Sequence, residues 1–215
     1  MKKDKWERSW KNIDKTVYSN RNIISRFGFF LLKRSIKKIT DKIKLNKSSK
    51  IIDIGCGSGK SLSYFREFGF KNSIGIDFSL NALKNCRVRG FKINKDVFLM
   101  DAAKTKFKSN SFNLVFAEGL LEHYKNFMAL AREFSRLSRR YILIVQPDHF
   151  TLTGKLLNIL VSKIEKGHVK EYDYKMSDFI NIFKELGFEI KIMRGSHLNY
   201  LMNLDTSKIL LFEKV

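Results

Sequence analysis

The chain has very little proline and cysteine, and each shortage excludes a class of structure. One proline and 12 glycines among 215 residues leave no Pro/Gly-rich linker or low-complexity segment that would separate two domains. The two cysteines, Cys56 and Cys86, are too few for a disulfide framework or a four-cysteine zinc site. No internal repeat is visible. The sequence therefore predicts one domain with additions, in a reducing compartment.

Long apolar runs are also missing. The longest run near the start, residues 27–32, has six residues, whereas about 20 are needed to span a bilayer. The first residues do not have the pattern of a secretory signal peptide. We therefore expect no transmembrane segment and a cytoplasmic location.

Acidic residues are scarce relative to basic ones. The chain has 21 Asp and Glu against 42 Lys and Arg, a net charge of +21. Residues 1–50 hold 16 basic and 4 acidic residues, net +12, and the remaining residues hold 26 and 17, net +9. Such a basic arm is typical of contact with nucleic acid or an anionic membrane surface. A lysine-rich background composition explains the same numbers, and we favour that simpler explanation.

Apolar periodicity predicts helices at the start of the chain and then alternating strands and helices. Within the first 47 residues, Leu32, Ile36, Ile39 and Ile43 have the spacing of a helix face that packs on a core. Repeated strand–helix units predict a parallel sheet covered on both faces, with an antiparallel last pair. The predicted strands are 50–55, 73–78, 97–102, 112–119, 140–148, 187–195 and 207–215. The predicted later helices are 59–69, 79–89 (with Ser79 as N-cap), 121–138, 152–165 and 176–186.

A glycine-rich stretch, "IIDIGCGSGKS" at 51–61, follows the first strand. A P-loop has four residues between its glycines, whereas Gly55 and Gly59 enclose three. A dinucleotide loop would have its third glycine where Lys60 stands. The stretch is instead D-x-G-x-G-x-G starting at Asp53, and we expect Lys60 to begin the next helix on its solvent side.

Together with three later motifs, this loop makes the chain resemble the class I S-adenosylmethionine-dependent methyltransferases, in their broad small-molecule branch. The later motifs are Asp77 at the end of the second strand, Asp101 after the third, and "SFNLVFAEGLLEHY" at 111–124. The resemblance covers residues 48–215 and implies an α/β fold. That fold is a Rossmann-like, doubly wound, seven-stranded sheet, mostly parallel with an antiparallel C-terminal strand. Residues 1–47 would form a basic, helical N-terminal cap.

The resemblance implies S-adenosyl-L-methionine as the cofactor. Its glycines let the backbone approach the amino-acid and ribose parts, and Asp77 would accept hydrogen bonds from the ribose hydroxyls. Asp101 would accept from the adenine amino group, and Phe78 would form an apolar wall. Asp53 would order the loop through backbone amides. The predicted cofactor-binding residues are Asp53, Gly55, Cys56, Gly57, Gly59, Asp77, Phe78, Asp101, Ala102 and Glu118.

The acceptor is expected beyond the carboxyl ends of the central strands. An apolar stripe in 151–166 predicts a lid, within an insertion at about 149–176. His123 is the candidate general base, because histidine titrates near neutral pH. Glu118 and Glu122 would share a helix face if the helix has already begun there. The predicted substrate pocket consists of Glu122, His123, Tyr124, His149, His168 and Tyr172.

Metal use is not predicted. Metal-assisted relatives have E-x-x-E-H and a downstream histidine, which here would be Glu122, His123 and His168. Gly119 stands where the first glutamate belongs, and three ligands without the fourth make a poor metal site.

The resemblance leaves the acceptor open. A small molecule methylated on O or N is favoured. The alternatives are RNA ribose methylation through the basic arm, a membrane-borne lipid intermediate reached by peripheral contact, and a non-catalytic scaffold that binds the cofactor. The fourth strand is followed by "AEGLLEH" at 117–123 and not by N-P-P-Y, which argues against methylation of nucleic-acid bases.

Overall fold

A computed structural model describes residues 3–12, 23–148, 150, 171–195 and 207–215. Two helices, α1 (Lys3–Asn12) and α2 (Ile23–Lys42), precede the alternating part. The strands are β1 (Ile51–Ile54), β2 (Ser73–Asp77), β3 (Val97–Leu99), β4 (Phe112–Glu118), β5 (Ser138–Pro147), β6 (Phe188–Gly195) and β7 (Ser207–Lys214). The other helices are α3 (Lys60–Glu67), α4 (Leu80–Cys86), α5 (Met128–Leu137) and α6 (Met176–Glu185), with 3₁₀ turns at Arg87–Arg89 and Leu121–His123.

The strands form one seven-stranded sheet in the order β3-β2-β1-β4-β5-β7-β6. Pairs among β1 to β5 are parallel, and β7 runs antiparallel to both β5 and β6. The predicted Rossmann-like sheet with an antiparallel C-terminal strand is confirmed. The strand order reverses next to β1, which is where such sheets leave a crevice for a ligand.

Helices cover both faces of the sheet, as predicted. Leu130 and Phe134 of α5 and Phe179 and Phe183 of α6 pack on one face. The other face is covered by α2 and α3, where the predicted stripe of α2 is buried: Leu32 is 4% exposed and Ile36 is 0% exposed. That stripe therefore belongs to the core and not to a membrane contact. No helix in the described parts of the chain is long and apolar enough to cross a membrane.

Two elements, the helix after β4 and strand β3, are shorter in the structure than the sequence predicts. The helix expected from residue 121 begins at Met128, and a 3₁₀ turn precedes it at Leu121–His123. The Asn126 side chain accepts the Met128 amide (2.9 Å), which forms a local turn immediately before the helix. Strand β3 ends at Leu99 because the chain turns at Asp101, whose carboxylate accepts the Ala103 amide (3.0 Å).

The predicted N-cap of α4 is confirmed, because the Ser79 hydroxyl accepts the Ala82 amide at 3.1 Å. The helix expected at 152–165 lies outside the described residues. The domain bounds and the lid at about 149–176 stay predictions.

Glu133 of α5 fastens the loop between β3 and β4 to the sheet. Its Oε1 accepts from the Thr105 amide (2.8 Å), the Thr105 hydroxyl (2.6 Å) and Arg136 (2.7 Å). Burial alone would raise the pKa of Glu133, but the hydrogen bonds from Arg136 and Thr105 outweigh it and lower that pKa. The carboxylate is therefore favoured in its charged form, and it holds the loop that carries Asp101 and Ala102.

We expect Glu133→Gln to lower the free energy of unfolding by about 1–3 kcal/mol, because an amide presents a donor to the Arg136 guanidinium. Urea unfolding at pH 7 measures this, with the exposed Glu185→Gln as the matched control. Because the folded pKa lies below the unfolded value of about 4.3, the difference between wild type and variant should persist above that pH and shrink as the pH falls further. Equal stability of the two variants would contradict this role.

Candidate active site

A cavity of about 220 Å³ opens at the carboxyl ends of β1, β2 and β4. Its walls come from the glycine loop after β1, the last residues of β2 and β4, the segment after β3, and helix α1. This is the crevice that the sheet order leaves. Sequence reasoning expected the cofactor here.

The glycine loop can adopt its shape because its glycines have left-handed backbone conformations. Gly55, Gly57 and Gly59 have φ values of 72°, 53° and 74°. A Cβ on Gly57 would also lie 2.8 Å from the Trp10 ring, closer than atoms can approach without movement. The absence of a side chain at Gly57 therefore lets α1 come down onto the loop.

Asp77 at the end of β2 holds the loop in place. Its Oδ2 accepts the Gly57 amide (2.9 Å) and its Oδ1 accepts the Ser79 amide (2.8 Å). The side chain lines the cavity and is 7% exposed. Burial raises the pKa of Asp77 to about 6, although these backbone amides act in the opposite direction. The carboxylate is therefore charged at neutral pH and becomes protonated in mild acid.

Asp53 brings a second buried carboxylate to the cavity. It is 2% exposed, and the Leu62 amide in the first turn of α3 favours the charged form of its carboxylate. Its Oδ2 has no hydrogen-bond partner in the described parts of the chain. The loop-ordering role expected for Asp53 stays a prediction. Burial, with Glu118 nearby, raises the pKa of Asp53 well above its usual value. A cationic ligand in the cavity would relieve both the missing hydrogen bond and the repulsion.

Lys60 points into the cavity and not to the solvent, which corrects the expectation for this residue. Its ammonium lies 2.6 Å from Glu118 Oε1 at the end of β4 and 4.0 Å from the centroid of the Phe29 ring. The hydroxyl of Ser61 donates to the other oxygen of Glu118. The first turn of α3 is thereby linked to β4 by a charge pair that lines the cavity.

Helix α1 closes the cavity with two aromatic rings, Trp6 and Trp10. The Trp6 ring lies edge-on to Phe78, with centroids 6.5 Å apart. Glu7, on the same helix, accepts the backbone amides of Leu80 (2.7 Å) and Asn81 (3.3 Å) at the start of α4. Sequence reasoning missed these three residues. The available signal was the pair of tryptophans four residues apart, which lie on one side of a helix.

Glu122 and His123 lie beside this cavity in the 3₁₀ turn, and both are buried, at 4% and 8% exposed. Because no α-helix begins between Glu118 and Met128, Glu118 and Glu122 do not share a helix face, which corrects that expectation. Burial raises the pKa of Glu122 to about 8, with Glu171 and Glu118 adding to the effect. Its Oε1 is 4.0 Å from His123 Nε2.

Aromatic side chains surround this second group. The His123 ring stands edge-on to Trp6, with centroids 4.9 Å apart. The Tyr172 amide donates to the Glu122 carbonyl (2.8 Å), which anchors the end of the predicted lid segment to the 3₁₀ turn. The Tyr174 hydroxyl donates to the Tyr124 carbonyl (2.8 Å). The turn is therefore held from both sides and can present Glu122 and His123 in fixed positions.

Most predicted cofactor residues line the cavity, and two do not. The lining residues are Asp53, Gly55, Cys56, Gly57, Asp77, Phe78, Ala102 and Glu118. Gly59 lies behind the loop, where a Cβ would be 3.0 Å from Phe91, and the exposed Asp101 caps its own turn. Predicted pocket residues His149 and His168 lie outside the described residues. Across the described ranges, no group of three or more His, Cys, Asp or Glu could hold a metal ion.

The family model described as "Methyltransferase domain" matches residues 26–191. The chain belongs to this family. The prediction of a class I S-adenosylmethionine-dependent methyltransferase is thereby confirmed. The matched residues include all but the first three residues of α2, and all of the sheet except β7 and the end of β6.

The relatives share the domain rather than the whole chain. An uncharacterised protein of Methanocaldococcus jannaschii is 27% identical over 141 residues, which cover 66% of this chain and 53% of that protein. A phosphoethanolamine N-methyltransferase of Plasmodium falciparum is 34% identical over 103 residues, 47% of this chain and 37% of that enzyme. The chain thus spans about half, or less, of the length of these curated relatives.

A solved structure shares the fold over nearly the whole chain. An S-adenosylmethionine-dependent methyltransferase of Thermotoga maritima superposes with a TM-score of 0.71, 16% identity and 99% coverage of both chains. At this identity the likeness establishes the fold alone.

We expect Glu7→Gln to weaken the docking of α1 on the cavity, because a charged acceptor at the start of α4 becomes neutral. The loss should be about 1 kcal/mol, so amide hydrogen exchange in residues 3–12 should become several-fold faster while exchange in β1 and β4 stays unchanged. Asp4→Asn, an exposed carboxylate on the same helix, is the control. Unchanged exchange in α1 of the Glu7 variant would show that the contact does not hold the helix.

Proposed function

We propose that this methyltransferase binds S-adenosyl-L-methionine in the cavity under α1 and transfers its methyl group to a small-molecule O or N acceptor beside Glu122 and His123. The carrying observation is the buried Oδ2 of Asp53, which accepts no hydrogen bond from the described ranges of the chain, in a cavity that Asp77 and Glu118 also line. Three buried or half-buried carboxyls around one cavity suit a ligand with a sulfonium, an ammonium and ribose hydroxyls.

Each wall has a role in holding that cofactor. Asp77 accepts from the ribose hydroxyls with the lone pairs that the Gly57 and Ser79 amides leave available. Asp53 and Glu118 face the positively charged groups, and the Lys60 ammonium faces the carboxylate. Phe78 and Ala102 provide the apolar surface for the adenine ring, and Trp6 and Trp10 exclude water from above.

Methyl transfer requires mainly that the protein align the two reactants and exclude water from the site. When bound, S-adenosylmethionine supplies a methyl group carried by a cationic sulfonium. Transfer of the methyl group converts the sulfonium into a neutral thioether, which is the leaving group. The residues of the chain position the acceptor atom in line with the carbon–sulfur bond and keep water out. If the acceptor arrives protonated, its proton passes to the imidazole of His123 and from there to solvent.

A small-molecule acceptor is supported by the enclosed site and by the relatives, several of which are phosphoethanolamine N-methyltransferases. The 3₁₀ turn is buried, so an acceptor must fit between it and α1. A folded macromolecule could offer such a group only on an extended loop or a flipped nucleotide.

We expect the affinity for S-adenosylhomocysteine, the demethylated product, to be constant at neutral pH and to fall as the pH decreases through about 6. The reason is that Asp77, with its pKa raised to about 6, is then protonated and loses acceptor capacity. Titration calorimetry from pH 5 to 8 measures this dependence.

Asp77→Asn is the decisive variant for that experiment. It should bind at least 10-fold more weakly at pH 8 and show no step near pH 6, whereas Asp148→Asn should behave like wild type. No binding of the product by wild-type protein at millimolar concentration would refute the proposed function. A pH step that persists in Asp77→Asn would refute the role of Asp77.

RNA is the second candidate acceptor, and the observation that favours it is the basic helix α2. Arg34, Lys38 and Lys42 are exposed on the side away from its buried stripe. Binding through such residues would weaken steeply with salt. Filter binding of tRNA between 50 and 200 mM salt distinguishes the two candidate acceptors. Binding that weakens steeply over this range supports RNA, whereas absent or salt-independent binding excludes RNA and favours the small molecule. Vesicle co-sedimentation tests the lipid alternative in the same way.

A further inference from the structure

We propose that the acceptor is an amine and that Glu122 and Gln146 recognise it, with Glu122 contacting the ammonium group and the Gln146 amide forming hydrogen bonds to the same ligand. This inference rests on the proposed function and narrows its acceptor from O or N to N. No motif in the sequence pointed to Gln146.

Gln146 is a fully buried polar side chain that no described residue satisfies by a hydrogen bond. It is 0% exposed, and in the described part of the chain neither its Nε2 nor its Oε1 forms a hydrogen bond. A buried polar atom left unpaired costs about 1–3 kcal/mol, and such groups in native proteins require an explanation. A methionine would fill the same space more favourably, so the amide has a use that the folded chain alone does not reveal.

The position of Gln146 places it at the active-site end of the sheet. It follows Val145, which pairs with Glu118, and the Gly119 amide donates to the Val145 carbonyl (3.0 Å). Side chains alternate along a strand, and Ile142 and Ile144 of β5 belong to the cluster beneath α5 and α6. Gln146 therefore faces the same side, which is the side of the 3₁₀ turn.

Glu122 belongs to that turn, and the turn packs against β5. Its Oε2 is buried and has no partner in the described residues. Its Oε1 would be 3.4 Å from a Cβ on Gly119, so the carboxyl group lies over the end of β4. Glu122, just after β4, and Gln146, near the end of the neighbouring β5, are thus two buried side chains beside the cavity, each with a polar atom that no described residue satisfies.

The charges around this region favour a cation. Glu118 and Glu171 both act on Glu122. The imidazole of His123 lies 4.0 Å from Glu122. The nearby ammonium of Lys208, which stands opposite Gln146 on β7, is 4.0 Å from the carboxylate of Asp148. An ammonium ion would pair with Glu122 where a neutral alcohol could not.

Binding of the amine replaces the acidic proton of Glu122 with the ammonium group of the ligand. Without ligand, Glu122 is mostly a neutral acid at pH 7, because its pKa is about 8. When the ammonium ion binds, the Glu122 O–H bond breaks, the carboxylate forms an ion pair with the ligand, and one proton leaves to solvent. Before methyl transfer the ammonium gives a further proton to the His123 imidazole, which frees the nitrogen lone pair that attacks the methyl carbon. Gln146 Oε1 accepts another N–H of the ligand, and Nε2 donates to an oxygen of it.

The test titrates the S-adenosylhomocysteine complex with ethanolamine and phosphoethanolamine, and with ethylene glycol as the matched oxygen compound. We expect at least one amine to bind 10-fold or more tightly than the glycol. Repeating the titration at pH 7 in buffers of different ionisation enthalpy should reveal about one proton released per amine bound. Glu122→Gln should abolish the proton release and weaken amine binding at least 10-fold, with unchanged affinity for S-adenosylhomocysteine.

The variant Gln146→Met distinguishes a role of Gln146 in binding the amine from an effect on the stability of the fold. It should raise the thermal midpoint by about 2–4 °C, because an unpaired amide becomes apolar, and yet raise the KM for the amine several-fold with a smaller change in kcat. A higher midpoint with an unchanged KM overturns the role of Gln146.

The remaining outcomes distinguish the two proposals. Normal binding of S-adenosylhomocysteine with no amine bound, or with the glycol bound as tightly, overturns the amine inference alone. Failure to bind S-adenosylhomocysteine removes the proposed function and this inference with it.

Discussion

The site depends on one carboxylate, that of Asp77, and the two backbone amides that it holds. Its oxygens join the Gly57 amide of the glycine loop to the Ser79 amide before α4. The loop after β1 and the turn after β2 are thereby fixed relative to each other, although 20 residues separate Gly57 from Asp77. The shape of the cavity, the approach of α1 and the start of α4 all follow from that connection, because each contacts one of the two segments.

The site is acidic, although the chain as a whole is strongly basic. A protein with a net charge of +21 collects four carboxyl side chains, those of Asp53, Asp77, Glu118 and Glu122, around one end of its sheet. Asp53, Asp77 and Glu122 are less than 8% exposed, and burial is the main reason that their pKa values are raised. Such an arrangement is unfavourable for the empty protein, and a positively charged ligand compensates for it. Functional sites are where proteins keep unfavourable groups of this kind.

Much of this could be predicted from the sequence, because strand and helix patterns are local. The glycine spacing after β1, together with Asp77, Asp101 and the stretch 111–124, indicated the family and the place of the cavity. What could not be predicted depends on contacts between distant segments. The direction of Lys60 is set by Glu118, which is 58 residues away. Gln146 is fully buried in a strand, β5, that packs against a turn more than 20 residues earlier in the chain. The late start of α5 follows a local turn at Asn126, which the pattern of apolar residues from 120 to 137 conceals.

The contact between Trp10 and Gly57 makes two distant positions of the chain depend on each other. A Cβ at position 57 would lie 2.8 Å from the Trp10 ring, so a side chain there would displace α1 as well as strain the loop. The residue in the loop and the residue 47 positions before it in the helix therefore cannot vary independently.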